Sequence, residues 1–175
     1  MIDIKSMKLE DASKIWEIDR SEIIEYIYTC ADGQLNEFKA GHECPNWEEG
    51  QYSEIIARYE EELRSGGMAV GAFAGETLVG FGVLAHQFRG ENNDQLQVDL
   101  MYVTREYRRQ GIGRRIITAL SEEAVVRGAK YLYISSTETE SAVKFYSSFG
   151  AELTPEVDEE LFAKEPEDIH MIKKL

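Results

Sequence analysis

The stretch Val98-Asp-Leu-Met-Tyr-Val-Thr-Arg-Glu-Tyr-Arg-Arg-Gln-Gly-Ile-Gly-Arg-Arg-Ile-Ile117 decides how this chain is read. It runs from an apolar strand through an arginine-rich turn with two glycines into the start of a helix. Free N–H groups and the positive dipole end at a helix start make such a junction an anion site. Gly111 and Gly113 carry no side chains, so a phosphate can come close to their backbone. Between Thr104 and Arg115 five arginines face one acid, Glu106, whereas the whole chain has a net charge of −14. A basic patch on an acidic protein points to a small polyanionic ligand. The overall acidity argues against nucleic acid, which needs a broad basic footprint.

At 175 residues and 43% hydrophobic composition, the chain is expected to form one domain, 1–175, with a full core. The N-terminus shows no cationic segment followed by an apolar run, and the longest apolar runs are far too short for a bilayer. No membrane association and a cytoplasmic location are the expectations. Cys30 and Cys44, with His42, lack zinc-ligand spacing, so no metal is expected.

Outward from the junction, Gln95–Val103 alternates Leu96, Val98, Leu100 and Tyr102 against Gln97, Asp99, Met101 and Val103. The first set is expected to face the core and the second a cleft or solvent. Before it, Met68–Ala74 and Thr77–Gln87 read as strands joined by a tight turn at Gly75-Glu76. Gly80 and Gly82 signal a bulge or a close backbone approach. After it, Ile112–Arg127 is a helix with Ile112, Ile116, Leu120 and Ala124 on one stripe. The strand Lys130–Ser135 follows, so a parallel crossover is implied. Ser141–Phe149 reads as a short helix. Ala151–Leu153 and Asp168–Leu175 read as closing strands around an acidic loop.

Towards the N-terminus, Ile2–Met7 suits a strand, and a helix opens near Glu10, with Asp11 or Ser13 placed to cap it. Ile23–Tyr28 is expected to continue as helix, and 29–50 as a long loop. Tyr52–Ser65 is an amphipathic helix ended by Gly66-Gly67. The predicted class is α/β (α+β): a mixed, mostly antiparallel sheet of about seven strands with helices on both faces.

The phosphate motif itself can be narrowed. A P-loop needs a lysine followed by Ser or Thr, and none follows these glycines. A dinucleotide fingerprint needs a third glycine where Ile116 stands. What remains is Arg108, two residues, Gly111, one residue, Gly113, behind Met101-Tyr-Val103. This pattern resembles the GNAT superfamily of acetyl-CoA-dependent N-acetyltransferases. A second segment, Thr139-x-x-Ala142-x-x-Phe145-Tyr146-x-x-x-Gly150-Ala151, resembles the family's Asn-x-x-Ala-x-x-Phe-Tyr-x-x-x-Gly-Phe landmark. Thr139 and Ala151 depart from it, and the first departure affects a cofactor contact.

The resemblance implies a sheet splayed at its central strands. It implies that amides of Arg109, Gln110, Gly111, Ile112, Gly113 and Arg114 bind the pyrophosphate of acetyl-CoA, with Arg108, Tyr102 and Thr139 in the same site. Met101 and Val103 would hold the pantetheine arm through their backbone. Tyr146 matches the tyrosine that protonates the departing thiolate; its other reading is a core aromatic on a short helix. The base is open: Asp99 is the first candidate, with His86, Glu22 and His42 behind it. The acceptor pocket or lid would come from 19–52, where Glu22 could hold a cation and Tyr26 and Trp47 could stack on it. A tryptophan in such a segment is also often a packing plug. The expected reaction is acetyl transfer to a primary amine, of a small molecule in the first instance. A protein N-terminus or lysine as acceptor, or a non-catalytic acyl-CoA-binding module, are the alternatives. The resemblance also allows a homodimer.

Overall fold

The computed structural model describes residues 1–175. Nine strands and four α-helices follow in the order β1 (Ile2–Met7), β2 (Glu22–Ala31), β3 (Gln34–Cys44), α1 (Glu49–Arg64), β4 (Met68–Ala74), β5 (Thr77–Arg89), β6 (Gln95–Val103), α2 (Ile112–Val126), β7 (Tyr131–Ser136), α3 (Glu140–Ser148), β8 (Glu152–Leu153), α4 (Glu159–Lys164) and β9 (Ile169–Lys174). A 3-10 helix, Leu9–Glu17, lies between β1 and β2. Seven strands form one sheet in the order β1-β4-β5-β6-β7-β9-β8, and only β6 and β7 run parallel. α2 supplies the crossover between them, as the spacing predicts.

Each face of the sheet carries its own core. On one, Ile112, Ile116, Ile117, Leu120 and Ala124 of α2 pack on Val70, Leu96, Val98, Leu132 and Met171. On the other, Tyr52 and Tyr59 of α1 and Ile15 of the 3-10 helix pack on Phe73, Phe81, Val83 and Leu100. Gly82 lets α2 lie directly on the sheet: a Cβ there would stand 2.7 Å from Ile116 Cγ2. This is the close approach that the two glycines of β5 signal.

Several expectations are corrected. Ile23–Tyr28 is strand, and 29–50 is mostly its partner, so 22–44 forms a two-stranded ribbon. The run Ile23-Ile-Glu-Tyr-Ile-Tyr-Thr29 is rich in β-branched and aromatic residues, which favour a pleated surface over a helix. Asp32 and Gly33 form its two-residue turn, both with positive φ (51° and 72°), the geometry a hairpin of this length requires. The first helix is 3-10 and not α, and Asp11 fastens its start by accepting from the Lys8 N–H at 2.8 Å. The acidic loop after β8 contains α4, capped by Asp158 at Leu161 N.

The most consequential correction is in β6. Val83 pairs with Leu100 but the next residue of β5, Leu84, pairs with Val98, so Asp99 is an inserted residue. A one-residue insertion reverses which face each later side chain takes. Leu96 and Val98 therefore lie in the α2 core, while Leu100 and Tyr102 lie towards α1, and Met101 and Val103 cross to the α2 side.

Candidate active site

β6 and β7 share four register pairs, ending at Val98 and Ile134. Beyond the bulge β6 continues to Val103 while still paired with β5, so its β7-facing edge is unpaired over Asp99–Val103. Buried or half-buried strand edges need partners. An extended, amide-bearing chain laid into the splay would supply them, which is the expected role of Met101 and Val103.

The turn below this edge is shaped for an anion. Gly111 is the N-cap of α2 in the left-handed conformation, φ 79°, with no side-chain cap, and the first helical bond is Arg115 N–H to Gly111 C=O at 3.1 Å. The amides of the first turn are thus free to point outward. Arg109, Gln110 and Gly111 are exposed, and Arg109 also has positive φ, 61°. A Cβ on Gly113 would lie 3.1 Å from Phe145 Cε2 and 3.5 Å from Met101 Cε. That one glycine brings the strand, the turn and the Phe145-Tyr146 segment together. The unpaired edge, uncapped helix start and side-chain-free cradle fit the pantetheine and pyrophosphate of acetyl-CoA.

The arginines mostly face the protein. Arg108 donates to Val103 C=O at 2.9 Å and Ser21 C=O at 3.0 Å, and pairs with Glu22 at 3.5 Å. Its guanidinium pKa is lowered by burial, against the opposing charges of Glu22 and Asp19. Arg108 therefore holds the turn to the end of β6 and to the start of the ribbon. Arg114 reaches Ser148 C=O, Arg115 reaches Ile2 C=O, and Arg105 lies by Glu43. Arg109 stands outside this set of contacts.

Thr139 is the N-cap of α3, its Oγ1 accepting from Ala142 N–H at 3.4 Å, and its backbone bridges to Ile27 of the ribbon. Tyr146 is half-buried on the same helix, edge-on to Phe145 at 5.1 Å between centroids. Burial raises its hydroxyl pKa above the usual phenol value, and the nearby Tyr102 and Asp168 add to the rise. Tyr102 is shifted the same way by burial, with Arg58 opposing.

The candidate bases are dispersed. Asp99 is tied to Arg58 of α1, which reaches its carboxylate at 2.6 and 3.1 Å and its carbonyl at 3.1 Å; the Asp99 side chain is only 11% exposed. His86 pairs with Glu62 and sits in β5 between the positions facing Val98 and Leu96, at the end of β6 away from the splay. Glu22 is held by Arg108 and Ser141. Tyr26 and His42 line an open hollow of about 520 Å³ on the ribbon with Ile23, Glu25, Lys39 and Glu43, without any residue of β6 or β7. Trp47 is buried, edge-on to Tyr52 and Tyr102 at 5.1 and 4.6 Å, with Arg20 over its ring.

Two residues of the splay escape sequence reasoning. Arg58 belongs to the polar face of α1, where a charge ordinarily reads as solvated. Asp168 closes the acidic run Glu165–Asp168, and only its place immediately before the last apolar strand sets it apart. It accepts from Ser135 Oγ at 2.8 Å, and its carboxyl is raised to about 7, chiefly by burial and further by Glu165 and Glu138, with Ser135 and Arg58 opposing.

A mixed sheet split between two parallel central strands, with a free strand edge above an uncapped, glycine-lined helix start, defines an acyl-CoA-dependent transferase. Residues 27–151 match the family model "Acetyltransferase (GNAT) family". The chain belongs to the GNAT acetyltransferases, enzymes that use acetyl-CoA as acyl donor. Solved structures of similar fold include a nourseothricin acetyltransferase (21% identity, 99% of this chain and 98% of that one, TM-score 0.74). A putative streptothricin acetyltransferase from Bacillus anthracis in complex with acetyl coenzyme A is also similar (19%, 100% and 99%, TM-score 0.73). So is the ribosomal-protein-S18-alanine N-acetyltransferase of Escherichia coli (15%, 99% and 94%, TM-score 0.63). No curated protein matches the sequence.

Proposed function

We propose that this enzyme moves the acetyl group of acetyl-CoA directly to a primary amine on a small, cationic molecule. The observation that carries the reading is the ribbon. β2 is bonded to the connection between β7 and α3, with Tyr28 N–H donating to Glu138 C=O at 2.7 Å and Ile27 bridged to Thr139. The segment 22–44 thus stands at the rim of the splay and takes up room beside it, which suits a small acceptor better than a protein chain. Glu138, Glu165 and Asp168 put negative charge on the acceptor side, which favours an approaching ammonium. The likeness in fold to enzymes named for nourseothricin and streptothricin is in keeping with such an acceptor.

In this reading the backbone of Met101 and Val103 holds the pantetheine arm. Amides 109–114 hold the pyrophosphate, and Tyr146 supplies the proton that the departing sulfur takes up. The free thiols of Cys30 and Cys44 suit a reducing cytoplasm. The test is CoA release from acetyl-CoA with a panel holding nourseothricin, spermidine and a peptide with N-terminal alanine, followed by mass spectrometry of a metabolite extract incubated with enzyme and acetyl-CoA. The small cations are expected to release CoA and gain one acetyl group. Turnover of the peptide alone overturns the small-molecule assignment.

A further inference from the structure

An amine reaches a thioester as a nucleophile only after losing its ammonium proton, so the acceptor side needs a proton acceptor. Two carboxylates stand where the central strands separate, and their surroundings differ. Asp99 is enclosed in a multiple-contact pair with Arg58, its oxygens directed at the guanidinium. Asp168 stands one residue before Ile169, the end of the β7–β9 register at Ser136, and so at the mouth of the splay on the β7 side. A single side-chain donor, Ser135 Oγ, reaches one of its oxygens, Oδ2.

We propose that Asp168 is the general base that takes the proton from the acceptor ammonium. The inference rests on the acetyl-transfer reading above. The groups facing Asp168 come from every neighbouring element. They are Arg58 of α1, Tyr102 of β6, Ser135 of β7, Glu138 before α3, Tyr146 of α3 and Glu165 after α4. Burial and the two glutamates outweigh Arg58 and Ser135, so the carboxyl titrates at about 7. A base matched to neutral pH accepts a proton more strongly than an ordinary carboxylate while still being substantially ionised. The charge of Asp168 is felt at the Tyr146 hydroxyl, so the two groups lie within electrostatic reach of one another.

The step balances. Asp168 removes one proton from the ammonium, and the freed nitrogen lone pair forms the C–N bond at the acetyl carbonyl carbon. The C–S bond breaks with its electrons going to sulfur, which takes the Tyr146 proton. The second nitrogen proton, lost as the amide forms, returns to the Tyr146 oxygen through solvent. The proton on Asp168 leaves to water, giving one proton released per acetyl transferred.

The experiment is kcat/KM against pH, with whichever amine of the panel turns over fastest, for the parent enzyme, Asp168→Asn, Ser135→Ala and Asp99→Asn. Acetyl-CoA affinity by calorimetry serves as the folding control. The parent should lose activity as pH falls through about 7. Asp168→Asn should lower kcat about 100-fold and abolish that inflection, with acetyl-CoA affinity kept. Ser135→Ala, which removes a donor that favours the ionised form, should move the inflection to higher pH; Asp99→Asn, which leaves Arg58 without its paired carboxylate, should move it to lower pH without abolishing it. An Asp168→Asn enzyme that keeps both rate and inflection overturns the base assignment while leaving acetyl transfer standing. If the parent turns over no amine, the acceptor reading itself fails. Carbon-detected NMR titration of the carboxyl groups then decides separately: an Asp168 signal that titrates in the ordinary carboxylate range overturns the base.

Discussion

The two halves of β6 are one strand with two behaviours. Gln95–Val98 pairs on both sides, with β5 and with β7, and its Leu96 and Val98 fill the α2 core. Leu100–Val103 pairs with β5 only, takes the opposite facing and leaves one edge unpaired. The boundary is the single inserted residue Asp99. The same alternating composition therefore gives a fully paired element on one side of a bulge and an open edge on the other. A sheet is opened here by a local change of register, without any change of residue class.

Substitutions can break that contrast or sharpen it. The largest effect is expected at Tyr146→Phe, which should lower kcat about 100-fold while acetyl-CoA affinity stays, so that binding at the open half is separated from chemistry. Undiminished turnover returns Tyr146 to the role of a core aromatic. Next is Val98→Ala in the paired half, expected to cost about 2 kcal/mol of stability by urea unfolding, from lost contacts in a close-packed core. Its acetyl-CoA affinity should be unchanged; an equal loss of affinity would erase the distinction between the halves.

Arg108→Ala should cost about 1 to 2 kcal/mol, since it strips donors from the carbonyls of Val103 and Ser21 and leaves Glu22 without its cation. Unlike Val98→Ala it should also weaken acetyl-CoA binding, because the turn is then no longer fixed to the open half.

The last effect is a slope with pH. The Asp168 carboxyl is raised from 3.8 to about 7 in the folded protein, so between those values the native state holds more proton than the unfolded one. Its stabilising contribution is present below about 4 and is lost as pH rises through about 7. Stability measured by urea unfolding across this window should fall less with rising pH in Asp168→Asn than in the parent. An unchanged slope places the titrating group elsewhere.

The donor side was legible because its signals are local. Turn glycines, the strand–turn–helix spacing and the Phe145-Tyr146 segment each report on a few neighbouring residues. The ribbon was misread although Asp32-Gly33 is a hairpin signal: the apolar run of Ile23–Tyr28 fits two periods, and a pattern this short does not choose between them. Trp47 was read both as a plug and as a stacking residue, and its edge-on contacts with Tyr52 and Tyr102 put it in the core behind β6. Asp99 was placed at the opening, but its partner Arg58 lies 41 residues away, on a helix face that looks solvated in one dimension. Asp168 and Ser135 meet only because β7 and β9 pair.

By itself, then, the sequence determined the class of sheet, its α2 crossover, the glycine turn and the family with its acetyl-CoA donor. These depend on hydrophobic period and on backbone conformations that few residues allow. Tertiary structure alone decided where β6 changes face, which carboxylate is tied up in an ion pair and which meets a single hydroxyl donor. Burial and the approach of charges from distant segments set those properties, and neither is written in the order of neighbouring residues.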